Sequence, residues 1–131
     1  MIGIVVAAHG NLGGELIRTA EDVIGKIEQC VAVDLHDLAH ATERFNAAVQ
    51  AVNSGDGILI LTDMFGGTPA NLGLAMLSAG QVEVLTGVNL PMLLKLASHR
   101  KGAPSNLHET ARLIKYYGQK NISVASEFLN V

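Results

Sequence analysis

Two stretches without a charge, residues 2–8 (IGIVVAA) and 57–62 (GILILT), constrain this chain more than any other feature. Short uncharged runs of Ile, Leu, Val and Ala suit strands buried on both faces, as in parallel sheets covered by helices. The segment after the first run repeats Leu12, Leu16, Ile17, Ala20, Val23, Ile24 and Ile27 at helical spacing. A second such stripe follows at Phe45, Ala48, Val49 and Val52. The pattern predicts strands over 2–8, 30–35, 57–62 and 82–86. It predicts helices over 12–27, 39–52, 69–79, 90–98 and 106–117. Gly80 and Gly118 suit helix ends, and Asn89 suits an N-cap. A loop of basic and turn residues is expected at 99–105, with Arg100 and Lys101 solvated and free to meet an acidic partner. Strands alternating with helices of this length imply βαβ units. The expected fold is therefore a small doubly wound α/β sheet, mostly parallel, in the order 2-1-3-4. A last apolar piece at 122–125 is expected as a short antiparallel edge strand, open to exchange with a second copy.

A length of 131 residues suits one domain spanning 1–131. Apolar residues make up 49% but aromatics only 4%, so Ile, Leu, Val, Ala and Met must fill the core. Lys and Arg look thinly spread in a chain of formal charge −3, which argues against nucleic acid as a partner. No apolar run approaches the roughly 20 residues of a membrane span, and the N-terminus lacks a basic leader. A cytoplasmic protein is the expectation. Cys30 is the only cysteine, so no internal disulfide forms, and it reads as a small buried hydrophobe.

His9 ends the first apolar run and Asp63 follows the second. Strand order 2-1-3-4 makes the first and third strands neighbours at the topological switch point, where ligands gather. A carboxylate that accepts from Nδ1–H fixes the tautomer and leaves Nε2 free as a nucleophile. The plainer readings are a histidine that closes a strand and an aspartate that caps a turn. Gly66, Gly67, Thr68 and Pro69 come next, with Thr68 placed as an N-cap and Pro69 as the first helical residue. Such a helix start gathers free N–H groups and favours an anion. Nucleophile, carboxylate and anion site together point to phosphoryl transfer. Neither a Walker-type loop nor a dinucleotide fingerprint is present. His36 and His40 are four apart with Asp34 and Asp37 nearby, but a helix that begins at Asp37 would separate the pair and no third ligand is assured, so no metal site is expected. His99 and His108 read as solvated.

Three separated motifs now carry a resemblance: His9-Gly10; Asp63-x-x-Gly66-Gly67-Thr68-Pro69-x-Asn71; and Gly87-Val88-Asn89-Leu90-Pro91-Met92. In order and spacing the chain resembles the IIA component of the mannose-type phosphotransferase system. The resemblance implies a cytoplasmic phosphotransferase component without cofactor. It accepts a phosphoryl group from the carrier HPr on His9 and passes it to a IIB component for sugar uptake. The IIC and IID membrane components act downstream. Asp63 matches the carboxylate that hydrogen-bonds the histidine. Gly66, Gly67, Thr68 and Asn71 fall where the phosphoryl group is held. A homodimer that exchanges its last strand is also implied. Ala70 departs from the family, where an aromatic residue is common, which leaves the main chemistry intact but gives the resemblance less to say about how the partner surface is packed. A stand-alone regulatory IIA protein fits the same motifs. A tetrapyrrole metal chelatase also starts with a strand ending in His-Gly. It continues with Ser and Arg, however, where this chain has Asn11 and Leu12.

Overall fold

The structure, a computed structural model, describes residues 1–102 and 106–130. Four strands, β1 (Gly3–His9), β2 (Cys30–Leu35), β3 (Ile58–Thr62) and β4 (Val82–Thr86), form one sheet in the order β2-β1-β3-β4. All three pairings are parallel. The helices are α1 (Leu12–Ile24), α2 (Ala41–Val52), α3 (Thr68–Leu74), α4 (Leu90–His99), α5 (Leu107–Lys120) and α6 (Ala125–Leu129).

The alternation of side chains along a strand divides the core in two. Ile4 and Val6 of β1, with Leu59 and Leu61 of β3, pack under α1, α4 and α5. Val5 and Ala7, with Ile58 and Ile60, pack under α2, whose Phe45, Val49 and Val52 are buried. Both faces of β1 and β3 are therefore covered, which is why these strands carry no charge. Asn89 caps α4 as expected, its side chain accepting from Met92 N–H at 3.0 Å. Asn106 caps α5 in the same way, accepting from Glu109 N–H at 3.1 Å.

Several local expectations change. The helix expected over 69–79 is shorter, ending at Leu74. Residues 75–81 instead turn back onto β4 through an antiparallel bridge between Ser78 and Val82. Gly80 serves that turn at φ 75°, a left-handed conformation in which glycine meets no Cβ clash. Gly118 does not end α5 but lies inside it. A Cβ there would stand 2.5 Å from Met92 Sδ, so the glycine lets α5 close onto α4.

The edge strand expected at 122–125 does not form within this chain. Residues 122–124 join no strand ladder among the described residues: the Ile122 N–H turns back to the Gln119 carbonyl at 3.3 Å, and Ala125 begins α6. A strand needs a ladder, and beyond the single Ser78–Val82 bridge β4 has no partner strand on its outer edge among the described residues. Of the basic loop expected at 99–105, residues 103–105 lie outside the described residues. Arg100 within it is not solvated. It is 6% exposed, and its guanidinium donates to the carbonyls of Ile2 (2.8 Å), Gln29 (3.2 Å) and Glu28. The carbonyls at the start of β1 and before β2 supply the acceptors that let a cation stay buried. Cys30 lies nearby, and burial pushes its thiol up to about 12 against a slight lowering by Arg100.

Candidate functional site

The parallel register sets the site. Ala7 pairs with Thr62, so the two strands run out at the same edge with His9 and Asp63 just beyond the last pair. Oδ2 of Asp63 accepts twice from His9: from its backbone N–H at 3.0 Å and from ring Nδ1–H at 2.7 Å. Oδ1 accepts the backbone N–H of Met64 at 3.0 Å. The carboxylate is thus held at three points, and it in turn holds the ring. The Asp63 side chain is 12% exposed and the His9 side chain 51%. With Nδ1 engaged, Nε2 is the nitrogen left to react. Burial raises the affinity of Asp63 for a proton, but the two hydrogen bonds and the charge of His9 outweigh it. The carboxyl is held below its ordinary value of 3.8.

Gly67 closes the other side of the ring. A Cβ at this position would lie 2.8 Å from His9 Cε1 and 3.4 Å from Nε2. The backbone of residue 67 therefore touches the imidazole, and Nε2 opens beside the start of α3. Gly66 turns the chain into that helix at φ 87°. Gly67, not Thr68, is the N-cap; Thr68 is the first helical residue and Pro69 the second. At the first helical position the N–H of Thr68 has no acceptor within the helix. Asn71 lies one turn further on, exposed, with its N–H bonded to the Gly67 carbonyl at 3.0 Å. The structure thus gathers His9, Asp63, Gly66, Gly67 and Thr68 at one edge and leaves Asn71 pointing out from α3 without a side-chain bond among the described residues.

His36 and His40 separate. His36 Nε2 bonds to the Asn11 side chain beside α1, while His40 adopts φ 53° and faces Glu43 at 3.8 Å. Among the described residues no group of three His, Cys, Asp or Glu side chains gathers at metal-binding range. Thr62, wholly buried at the end of β3, has a hydroxyl without a hydrogen-bond partner among the described residues. Sequence reasoning did not single it out, since Thr is common in strands. Met64 and Phe65, beside the site, are 55% and 74% exposed. Large apolar side chains held out at a reactive centre are available to a partner.

Fold and site define a doubly wound α/β protein with a carboxylate-held, outward-facing histidine at its switch point. The family profile described as "PTS system fructose IIA component" matches residues 3–115. The chain belongs to that family. It is 32% identical over 108 residues to the PTS system mannose-specific EIIAB component of Escherichia coli strain K12, covering 79% of this chain. The chain spans about a third of the length of that relative, 33%. It is 27% identical over 133 residues to the PTS system fructose-specific EIIA component of Bacillus subtilis, covering 98% of this chain and 90% of the relative. The crystal structure of phosphotransferase system component EIIA from Streptococcus agalactiae superposes with a TM-score of 0.83 at 26% identity, over 97% of this chain and 99% of that one. Family membership sets the chelatase reading aside.

Proposed function

We propose that the chain is a phosphohistidine carrier that takes a phosphoryl group from phospho-HPr onto His9 and gives it to a IIB component. The observation that carries this reading is the 2.7 Å hydrogen bond between His9 Nδ1 and Asp63 Oδ2, beside an open Nε2. In the transfer, the Nε2 lone pair forms a bond to phosphorus in line with the departing imidazole of the donor. The donor N–P bond breaks and its electron pair returns to that ring. The Nδ1 proton of His9 stays in place, and Asp63 offsets the positive charge the ring gains. Gly66, Gly67 and Thr68 present backbone N–H groups to the phosphoryl oxygens, with the Thr68 hydroxyl and Asn71 at the rim. Imidazole is both donor and acceptor, so the exchange is close to balanced and runs in both directions.

Met64 and Phe65 form the apolar floor on which a partner protein docks. One EIIA unit spans residues 1–131 and works in the cytoplasm, visiting the membrane through IIB and the IIC and IID components. It pairs as a homodimer through the open edge of β4 and the exposed Ile122, Val124, Phe128 and Leu129. Incubation with phosphoenolpyruvate, enzyme I and HPr tests the central claim. One phosphate is expected on His9, lost in acid and kept in base, and absent from His9→Ala. Undiminished labelling of His9→Ala would refute it.

A further inference from the structure

The overall charge of −3 conceals a sharp division. Between residues 90 and 121 lie six of the nine cationic side chains and a single acidic one, Glu109. That segment carries +5, and the rest of the chain, with three cations against eleven acids, carries −8. The cations that looked thinly spread are concentrated on one helical hairpin, α4 and α5. Arg100 is spent inside, but the others face out or lie half-buried.

The helical repeat places Glu109, Arg112, Lys115, Tyr116 and Lys120 on the outer side of α5, three cations against one acid. Its inner side buries Leu107, Thr110, Ala111, Ile114 and Gly118. Arg112, Lys115 and Lys120 are exposed, and none joins an ion pair among the described residues. Two lysines lie over tyrosine rings instead: Lys120 over Tyr116 at 5.2 Å and Lys95 over Tyr117 at 5.4 Å. The rings hold the ammonium groups at the surface without neutralising them.

We propose that this face of α5 binds the headgroups of an anionic lipid bilayer. The inference rests on the carrier reading only in giving membrane contact a purpose. The cations are spaced along a convex helix rather than gathered in a cleft. That shape suits a continuous sheet of negative charge better than the shaped epitope of an acidic protein. Tyrosine beside lysine is the pairing favoured at headgroup depth. Polybasic surfaces of this size bind anionic leaflets weakly and reversibly, and salt weakens them. The orientation is also productive. The C-terminal end of α5 reaches the carboxyl edge of the sheet, where Asn89 Nδ2 donates to the Gly118 carbonyl at 3.3 Å. With α5 flat on the bilayer, the strands lie along the surface and His9 opens sideways, toward a partner held at the same membrane.

The test is cosedimentation of the full chain with vesicles of equal parts phosphatidylglycerol and phosphatidylcholine, against phosphatidylcholine alone, at low and physiological salt. Binding is expected only to the anionic vesicles. Arg112→Gln, Lys115→Gln and Lys120→Gln combined should lower the partition coefficient about a hundredfold. His9 labelling by phospho-HPr in solution, read on the same samples, should stay unchanged, because none of the three touches the site. Equal binding to neutral vesicles, no binding to either, or full binding by the triple variant would overturn the proposal. Vesicle binding without His9 labelling would leave it standing and sink the carrier reading instead.

Discussion

Gly67→Ala is the sharpest probe of how the imidazole is held. Gly67 has φ −85° and ψ 169°, which alanine adopts without strain, so the substitution tests packing alone. The added methyl would stand 2.8 Å from His9 Cε1, about 0.6 Å short of ordinary contact. The flanking backbone belongs to a helix start, so the ring gives way first. Asp63 blocks the ring on the opposite side, so the half-exposed imidazole escapes by swinging outward, which takes Nδ1 from 2.7 Å to beyond the usual limit of about 3.2 Å from Oδ2. A charge-assisted bond of this kind is worth roughly 1.5–3 kcal/mol, or about 10- to 150-fold in rate where it acts fully in the transition state. Phosphoryl transfer from phospho-HPr should therefore slow by one to two orders of magnitude. Overpacking a closed core costs about 1–3 kcal/mol, but the half-exposed ring can swing outward, so stability should fall by less than about 1 kcal/mol. Quenched-flow labelling, with quenching in base, gives the rate, and thermal melting followed by circular dichroism gives the stability. Wild-type labelling at an unchanged Tm would show that contact with Gly67 does not set the ring.

Asp63→Asn should slow transfer at least tenfold, and it places an NH2 group against either His9 or the Met64 N–H. Because the Asp63 carboxyl is held below 3.8, its contribution to stability is complete above that pH and is lost as pH falls through the lowered value. The gap in urea stability between wild type and Asp63→Asn should be constant near neutrality and narrow below about pH 4; a gap that widens in acid would contradict the assignment. Cys30, with its thiol pushed up to about 12, should resist a disulfide reagent at pH 8 in the native protein and react on unfolding. Rapid modification under native conditions would show that the thiol is accessible. Arg100→Met should cost about 2 kcal/mol in urea unfolding, since the buried Ile2 carbonyl and the part-buried Glu28 carbonyl lose the guanidinium while Gln29 keeps the Ile4 N–H, and a loss below about 0.5 kcal/mol would show that water takes its place.

The sheet was readable from sequence because burial on both faces writes itself as uncharged runs, and helical spacing between them forces parallel crossovers. His9 and Asp63 were readable for the same reason: each is the first polar residue after such a run. Strand order then made them neighbours. Their hydrogen bond could only be expected, since ring orientation depends on the contact with Gly67. Arg100 was misread because a cation beside Lys101 and Gly102 has the local pattern of a solvated loop. Its acceptors lie at residues 2, 28 and 29, and no local pattern registers them. Gly118 was misread likewise, because a glycine that admits Met92 of another helix looks the same in sequence as one that ends its own. The piece at 122–125 has strand composition, but a strand is a relation between two segments, and one chain supplies no second. The basic character of α5 was there to be counted, and net charge hid it.

Arg100 also dictates an order of events during synthesis. β1 and β2 leave the ribosome before α4, yet the carbonyls of Ile2 and Glu28 wait for a donor that lies 98 and 72 residues further along, while that of Gln29 already holds the Ile4 N–H. Until the end of α4 has been made, the Ile2 and Glu28 carbonyls must stay in water. The start of the sheet is thus made early and closes late, and a nascent chain halted before residue 100 cannot bury the end from which β1 begins.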